Sequence, residues 1–200
     1  MSSLTTTQVS GLTSTQLGAM TATALTGLTS TEVGGLSTTQ LSGINSTQIK
    51  GLTSDNVSGL TSTQLGALTS TQMAALTSTN VGLLSTTQVT GLQATQLKAM
   101  VAAQLLAMTS DDVAQLTSTQ IQALSSTQIG ALSTTVIGSF TTTEVGALYS
   151  TQIGGLTSTQ IGQLSTTNIS AMSTTQLAGF SQAQVTAMTQ AQAEAYILAS

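Results

Sequence analysis

Residues 60–67 have the sequence LTSTQLGA, and this eight-residue unit recurs without a break along most of the chain. Counting in eights from Leu4, with positions labelled a to h, gives 24 consecutive repeats that end at Ala195. Position a always holds a large apolar residue, and position f is always apolar. Position b is Thr, Ser or Asn in 21 repeats, and position e is Gln, Glu, Asn or Asp in 22. Since no linker interrupts this register, we predict a single repeat domain over residues 1–200.

The spacing of positions b and e predicts the start of a helix in every repeat. A hydroxyl followed three residues later by Gln or Glu forms a capping box, in which each residue bonds the backbone N–H of the other. The apolar residues at a and f then occupy the two positions of a hydrophobic staple. All 18 glycines lie at g or h, where Gly or Ala allows the helix to end and adjacent turns to approach closely. Each repeat is therefore predicted to form one short helix.

Helices of six or seven residues are too short to be stable alone, so the repeats must stack. We therefore expect an all-α solenoid of short capped helices, one per eight-residue repeat, with a continuous apolar interior. One long helix is excluded, because eight residues advance 800° and position a would rotate by 80° in each repeat. The alternative is a β-solenoid with 24-residue coils, which the Thr-x-Thr pairs at b and d also fit.

Two segments depart from the consensus and lead to local predictions. Residues 93–108 contain no glycine, and Val101 replaces the hydroxyl at b. Because most of these residues are strong helix formers, we expect one continuous helix over roughly residues 94–108, with Leu105 and Leu106 both covered. In residues 181–200, Gln and Ala replace Thr, and Ala193 weakens position f. Here we expect a longer helix that acts as a degenerate C-terminal cap or as a junction.

The composition excludes several classes of function. Charged residues make up 4% of the chain and the net charge is −4, with no clustered Lys or Arg, so we expect no nucleic-acid partner. No apolar run is long enough to span a bilayer. The N-terminus has no basic segment followed by an apolar one, so export would use a route without an N-terminal signal peptide. The chain has no Cys and no His, which removes the commonest nucleophile–base pairs and soft metal ligands.

The remaining candidate chemical groups have structural explanations. Lys50 and Lys98 both lie at position g, which we interpret as an exposed helix position. Asp111 and Asp112 are adjacent acids, and we interpret them as helix-start residues behind the cap Thr109. Hard cations need several convergent oxygens, which this pair does not supply by itself. We therefore predict no catalytic residue, no cofactor-binding residue and no metal site, and we expect that the protein is not an enzyme.

The units at residues 156–162 and 60–67 resemble the Leu-Thr-Thr-Ala-Gln-Ile-Ala-Ala octapeptide tracts of large proteobacterial surface and adhesion exoproteins. The resemblance covers essentially the whole chain. Some of those proteins carry a haem-utilisation label, but this chain lacks the usual axial ligands: Met and Tyr are the only candidates, and we assign them to the apolar core. The resemblance implies a protein that is extracellular or on the cell surface.

Together these observations predict a non-enzymatic structural repeat protein, such as a stalk, an adhesin spacer or a self-assembling filament subunit. With so few charges, little repulsion keeps copies apart, so the expected partner is the protein itself, end to end or laterally. A cell surface or an abiotic surface is a further expected partner. The alternative is a surface-binding module for ice or polysaccharide that uses the repeated Thr face.

Overall fold

A computed structural model describes residues 4–200, which contain 24 α-helices and no β-strand. Each octapeptide repeat forms one helix of its own, and the last helix alone continues beyond its repeat. The predicted all-α solenoid of short helices is therefore confirmed, and the β-solenoid alternative is wrong.

The chain divides into two compact units, the first ending at Met100 and the second spanning Val101–Ser200. The helices of the first unit are α1 (Thr6–Ser10), α2 (Ser14–Ala19), α3 (Ala22–Thr26), α4 (Ser30–Gly34), α5 (Thr38–Ser42), α6 (Ser46–Gly51), α7 (Ser54–Ser58), α8 (Ser62–Ala67), α9 (Ser70–Ala75), α10 (Ser78–Gly82), α11 (Thr86–Val89) and α12 (Ala94–Ala99). The helices of the second unit are α13 (Ala102–Ala107), α14 (Ser110–Val113), α15 (Ser118–Ala123), α16 (Ser126–Ala131), α17 (Thr134–Gly138), α18 (Thr142–Ala147), α19 (Ser150–Ile153), α20 (Ser158–Ile161), α21 (Thr166–Ser170), α22 (Thr174–Leu177), α23 (Gln182–Thr186) and α24 (Gln190–Ala199).

Within each unit, every helix packs against the helix three places further along the chain. In the first unit α1 contacts α4, α2 contacts α5, and the pattern continues to the pair α9 and α12. The second unit repeats it from the pair α13 and α16 to the pair α21 and α24. Three octapeptides therefore complete one coil of 24 residues. That coil length was predicted only for the β-solenoid, but it is a property of the helical one.

The repeat at residues 60–67 shows how the sequence produces each helix. Thr61 is the N-cap residue, and its backbone is extended (φ −76°, ψ 161°). Its hydroxyl oxygen accepts a hydrogen bond of 3.2 Å from the backbone N–H of Gln64. The side-chain Oε1 of Gln64 accepts one of 2.7 Å from the backbone N–H of Thr61. Leu68, at the next position a, is again extended (φ −59°, ψ 139°), so the helix ends after six residues. The predicted capping box is confirmed in this repeat.

The apolar residues at positions a and f form the core. Position f is the more deeply buried of the two: Leu65, Ile129 and Ile153 are 0% exposed. Position a is nearly as well covered from Leu28 onward, whereas Leu4 in the first coil is 39% exposed. A fully buried Leu or Ile contributes roughly 1.5–3 kcal/mol relative to an exposed one. Because the helices are too short to be stable by themselves, this burial supplies most of their stability.

Glycine serves close packing in this fold. No described glycine has a positive φ, so none ends a helix in the left-handed conformation that usually favours this residue. Instead, a Cβ atom placed on Gly91 would collide with the backbone of Ser62 in the preceding coil. Gly155 has the same relation to Ser126. The expected close approach of adjacent turns is confirmed at these positions.

The predicted continuous helix over residues 94–108 is wrong. Helix α12 ends at Ala99, Met100 and Val101 are extended, and α13 begins at Ala102. Val101 has no side-chain acceptor, but its backbone N–H still donates to Gln104 Oε1 at 2.9 Å. A continuous helix would rotate successive a positions by 80° and remove them from the core. Burial of these positions and the Gln therefore maintain the repeat without a hydroxyl cap.

The cover predicted for the two leucines of α13 is half right. Leu105, at position f, is 0% exposed, whereas Leu106, at position g, is 59% exposed. Position g points away from the core even when it holds a large apolar residue. At the C-terminal end, α24 has ten residues and is longer than any other helix, as its composition predicted, while α23 has the ordinary length of five. The ring of Tyr196 in α24 packs edge-on against Phe180, with centroids 5.8 Å apart.

Candidate functional site

Every buried polar side chain in residues 4–200 lies at position e. These side chains are Glu32, Gln40, Gln48, Asn56, Gln64, Gln72, Asn80, Gln88, Gln96, Gln104, Asp112, Gln120, Glu144, Gln152, Gln160, Asn168, Gln176, Gln184 and Gln192. Burying an amide without a hydrogen-bond partner costs free energy. None of the buried side-chain nitrogen or oxygen atoms in the described part of the chain lacks a partner. Position e is therefore where the fold concentrates its buried polar groups.

Gln48 shows what these groups do. Its Oε1 accepts from the backbone N–H of Asn45 at 2.8 Å, which completes the capping box of its own helix. Its Nε2 donates to the carbonyl oxygens of Leu17 at 2.9 Å and Met20 at 2.7 Å, 31 and 28 residues earlier. Those carbonyls belong to the end of α2 and the residue after it, where a helix leaves its own acceptors without internal partners. One amide thus caps the start of one helix and the end of another in the preceding coil.

The same pair of contacts recurs along both units, and we call this row of position-e amides the amide ladder. Its Gln members and the residues whose carbonyls accept from Nε2 are Gln40 (Val9, Leu12), Gln48 (Leu17, Met20), Gln64 (Val33, Leu36), Gln72 (Leu41, Ile44), Gln88 (Val57, Leu60), Gln96 (Leu65, Leu68), Gln152 (Ile121, Leu124), Gln160 (Ile129, Leu132), Gln176 (Val145, Leu148), Gln184 (Ile153, Leu156) and Gln192 (Ile161, Leu164).

Shorter side chains at position e make fewer of these bonds. Asn56 Nδ2 donates only to the Leu28 carbonyl at 2.6 Å, although its Oδ1 still accepts from Thr53. Asn80 and Asn168 also reach a single carbonyl each, those of Leu52 and Phe140. In these two repeats the N-cap hydroxyl accepts a bond, but the reciprocal half of the capping box is missing. Gln is therefore the one residue long enough to satisfy both ends.

Residues without a donor interrupt the amide ladder. Glu144 Oε2 accepts from the backbone N–H of Thr141 at 2.6 Å and from its hydroxyl at 2.9 Å. An ionised carboxylate is an acceptor only, so it cannot serve the carbonyls of Val113 and Leu116 in the preceding coil. Val136 is buried at the same position and likewise offers no donor. These repeats keep the fold but lose a contact between coils.

The residues that sequence reasoning considered for chemistry are found apart from one another. Lys50 and Lys98 are exposed at the ends of α6 and α12, as predicted. Asp111 is exposed, whereas Asp112 is 3% exposed and its Oδ2 accepts from the Thr109 backbone N–H at 2.9 Å and hydroxyl at 2.7 Å. The pair is thus part of a helix start. Within residues 4–200, no three acidic residues lie close enough together to hold a metal ion.

The Thr-x-Thr pairs have two different environments. Thr61, at position b, is an N-cap whose hydroxyl accepts from the Gln64 backbone. Thr63, at position d, is exposed in the first turn of α8. The two hydroxyls therefore belong to a helix start, not to one side of a strand. Across residues 4–200, no helix is both long and apolar enough to cross a membrane.

Comparison with known proteins gives one similarity. The family model described as the ALTTAQ repeat matches residues 50–78 and 105–142, which together are about a third of the chain. The similarity supports a repeat family of this period, in agreement with the resemblance seen in the sequence. No curated protein and no solved structure shows significant similarity to the chain.

Sequence reasoning found the capping role of position e but missed its second role. A capping box accepts Glu as readily as Gln, so the box alone gives no reason to prefer the amide. Position e nevertheless holds 16 Gln and only two Glu, Glu32 and Glu144. That preference is the sequence signal for a donor requirement, because Gln has both a donor and an acceptor.

Proposed function

We propose that this protein is a non-enzymatic structural element of the cell surface or the extracellular medium, acting as a stalk, an adhesin spacer or a self-assembling filament subunit. The observation that carries the proposal is the amide ladder. It joins each coil to the next by direct hydrogen bonds, so length is gained by adding coils of the same kind. A molecule built in this way is suited to setting a distance between two points. The similarity to the ALTTAQ repeat and the resemblance to surface exoproteins support the same role.

The surface composition supports self-association. Residues 4–200 contain six acidic residues and two lysines, so electrostatic repulsion between copies is weak. The exposed positions b and d carry mostly neutral hydroxyl groups, which can bond to the same groups on another copy. We therefore propose the protein itself as a partner.

Surface location is tested by labelling intact cells of the source organism with an antibody to the chain. We expect labelling of intact cells, or protein in the medium, while a cytoplasmic marker becomes accessible only after lysis. If this chain, like the marker, were detected only after lysis, the proposed location would be wrong.

Self-association is tested by light scattering over a range of protein concentrations. We expect the mean mass to rise with concentration. A matched variant carries Thr39→Asp, Thr63→Asp and Thr87→Asp, all at exposed position d, which Asp55 already occupies naturally in the same place of its repeat. The added charge should keep this variant monomeric without unfolding it. A wild-type protein that stays monomeric throughout would contradict the proposal.

A further inference from the structure

Tyr149 breaks the repeat rule in an unusual way. Position b is a hydroxyl or Asn in 21 of 24 repeats, because that side chain caps the helix. Tyr149 makes no side-chain cap bond, and the Gln152 backbone N–H bonds to the Tyr149 carbonyl instead, at 2.9 Å. Of the four aromatic residues, Phe140 and Phe180 are buried and Tyr196 packs on Phe180, whereas Tyr149 is 54% exposed. The ring thus adds nothing to the helix start, yet it is presented to solvent.

A groove of about 520 Å³ lies beside this ring. Its walls come from three successive coils: Gln122 from α15, Gly146 from α18, and Ser173 and Thr175 from the start of α22. Gly146 leaves open space in the groove, since a Cβ atom placed there would meet nothing within 4 Å. The volume falls in the range of about 300–1,000 Å³ that small-molecule sites occupy.

The lining determines what kind of ligand the groove can take. It offers hydroxyl groups, an amide and an aromatic ring, and it contains no charged side chain. An ionic ligand would find no counter-charge in it, and a purely apolar ligand would desolvate hydroxyls without replacing their hydrogen bonds. A neutral sugar matches both parts of the lining: its C–H face stacks on an aromatic ring, and its hydroxyls exchange hydrogen bonds with Ser, Thr and Gln.

We propose that the groove beside Tyr149 is a binding site for a neutral hexose polymer. The other grooves between coils share the hydroxyl lining but have no aromatic ring: one is lined by Thr38, Ser62, Thr90 and Gln93, among others. The site is therefore specific to the second unit. The proposal goes beyond the structural role, because a spacer has no need of a sugar site. It would give the molecule one point of attachment to a polysaccharide surface.

The test is an NMR titration of the full chain with cellohexaose and with maltohexaose. The protein has two Tyr and no Trp, so ring resonances of Tyr149 report on the groove and those of Tyr196 serve as an internal control. We expect a saturable shift of Tyr149 but not of Tyr196 with at least one of the two sugars, with a dissociation constant in the millimolar range.

Two substitutions separate binding from folding. Tyr149→Thr restores the consensus cap, so it should raise the melting temperature by about 2–4 °C while weakening binding by at least about tenfold. Tyr149→Trp keeps an aromatic face and should keep binding. The proposal is overturned if neither sugar gives a saturable shift at Tyr149, or if Tyr149→Thr binds as tightly as the wild type. Either result would leave the cell-surface test unaffected, because the two experiments measure different things.

Discussion

The repeats at residues 60–67 and 100–107 form helices of equal length from very different sequences. The first has a hydroxyl cap and a glycine, and the second has Val at the cap position and no glycine. Helices α8 and α13 nevertheless both contain six residues and begin at the same point of the repeat. The features that differ between the two repeats therefore do not determine where a helix begins and ends.

The features that the two repeats share are the ones that matter. In each, the Gln at position e accepts from the backbone N–H at b, at 2.7 Å for Gln64 and 2.9 Å for Gln104. In each, position f is a fully buried Leu. The hydroxyl cap adds stability, but the amide at e and the apolar residues at a and f define the repeat. The predictions below either remove one of the shared features or supply one of the missing ones.

The largest effect is expected where a glycine lies against the consensus repeat. In Gly91→Ala the new methyl group would collide with the backbone of Ser62, which cannot move aside as a side chain could. We expect the free energy of unfolding to fall by about 3 kcal/mol or more. The matched control is Gly146→Ala, where the methyl group meets open space and the helix gains up to about 1 kcal/mol. Urea denaturation followed by circular dichroism measures both. Equal effects of the two substitutions would contradict the close-packing role of Gly91.

The next effect concerns the donor at position e in the consensus repeat. Gln64→Glu keeps the capping box but removes the bonds to the Val33 and Leu36 carbonyls and buries a carboxylate. We expect a loss of roughly 2–3 kcal/mol in unfolding free energy at neutral pH. Gln8→Glu is the control, because Gln8 has the same capping bond at 2.8 Å but is exposed in the first coil. This control should change stability by less than about 0.5 kcal/mol. Similar losses at both sites would show that only the cap matters.

The converse substitution should add a missing contact. Glu144→Gln supplies an amide donor opposite the Val113 and Leu116 carbonyls while it preserves the bond to Thr141. We expect a gain of about 1 kcal/mol, the usual net value of a hydrogen bond in a protein. The control Glu194→Gln replaces an exposed acid in α24 and should leave the midpoint of thermal unfolding unchanged. A Glu144→Gln variant no more stable than wild type would argue against the donor requirement.

The smallest effect is expected at the cap of the degenerate repeat. Val101→Thr gives α13 the hydroxyl that α8 already has, so it should stabilise the protein by about 0.5–1 kcal/mol. Val101→Ala is the control, since Ala is as poor a cap as Val. Differential scanning calorimetry of the three proteins checks this. A Thr variant that melted together with the Ala variant would mean that the hydroxyl contributes nothing once Gln104 is in place.

The local structure of each helix could be predicted from the sequence, because its causes lie within eight residues. The capping bond between Thr61 and Gln64 and the burial of Leu65 follow from spacing alone. The number of repeats per coil could not be predicted. It depends on the angle at which one short helix follows another, and the extended residues at a and b that set this angle are alike in both competing solenoids.

The error at residues 94–108 has a related cause. Helix propensity and the missing cap both favoured one continuous helix, and both are local effects of about 1 kcal/mol or less per residue. Burial of Met100 and Met108 at position a is a tertiary effect, and it is larger. The second role of the position-e amides was missed because their acceptors lie 28 and 31 residues away. No pattern within one repeat contains that information.

The most direct test of the amide ladder is hydrogen exchange of the Gln side-chain amides, followed by NMR on the wild-type chain. The Nε2 protons of Gln64 donate to the Val33 and Leu36 carbonyls in the interior, whereas Gln8 is exposed. The ladder predicts that the Gln64 side-chain protons exchange at least about a hundredfold more slowly than those of Gln8. Exchange of Gln64 at the same rate as Gln8 would show that the coils are not joined through these amides, and would contradict the account.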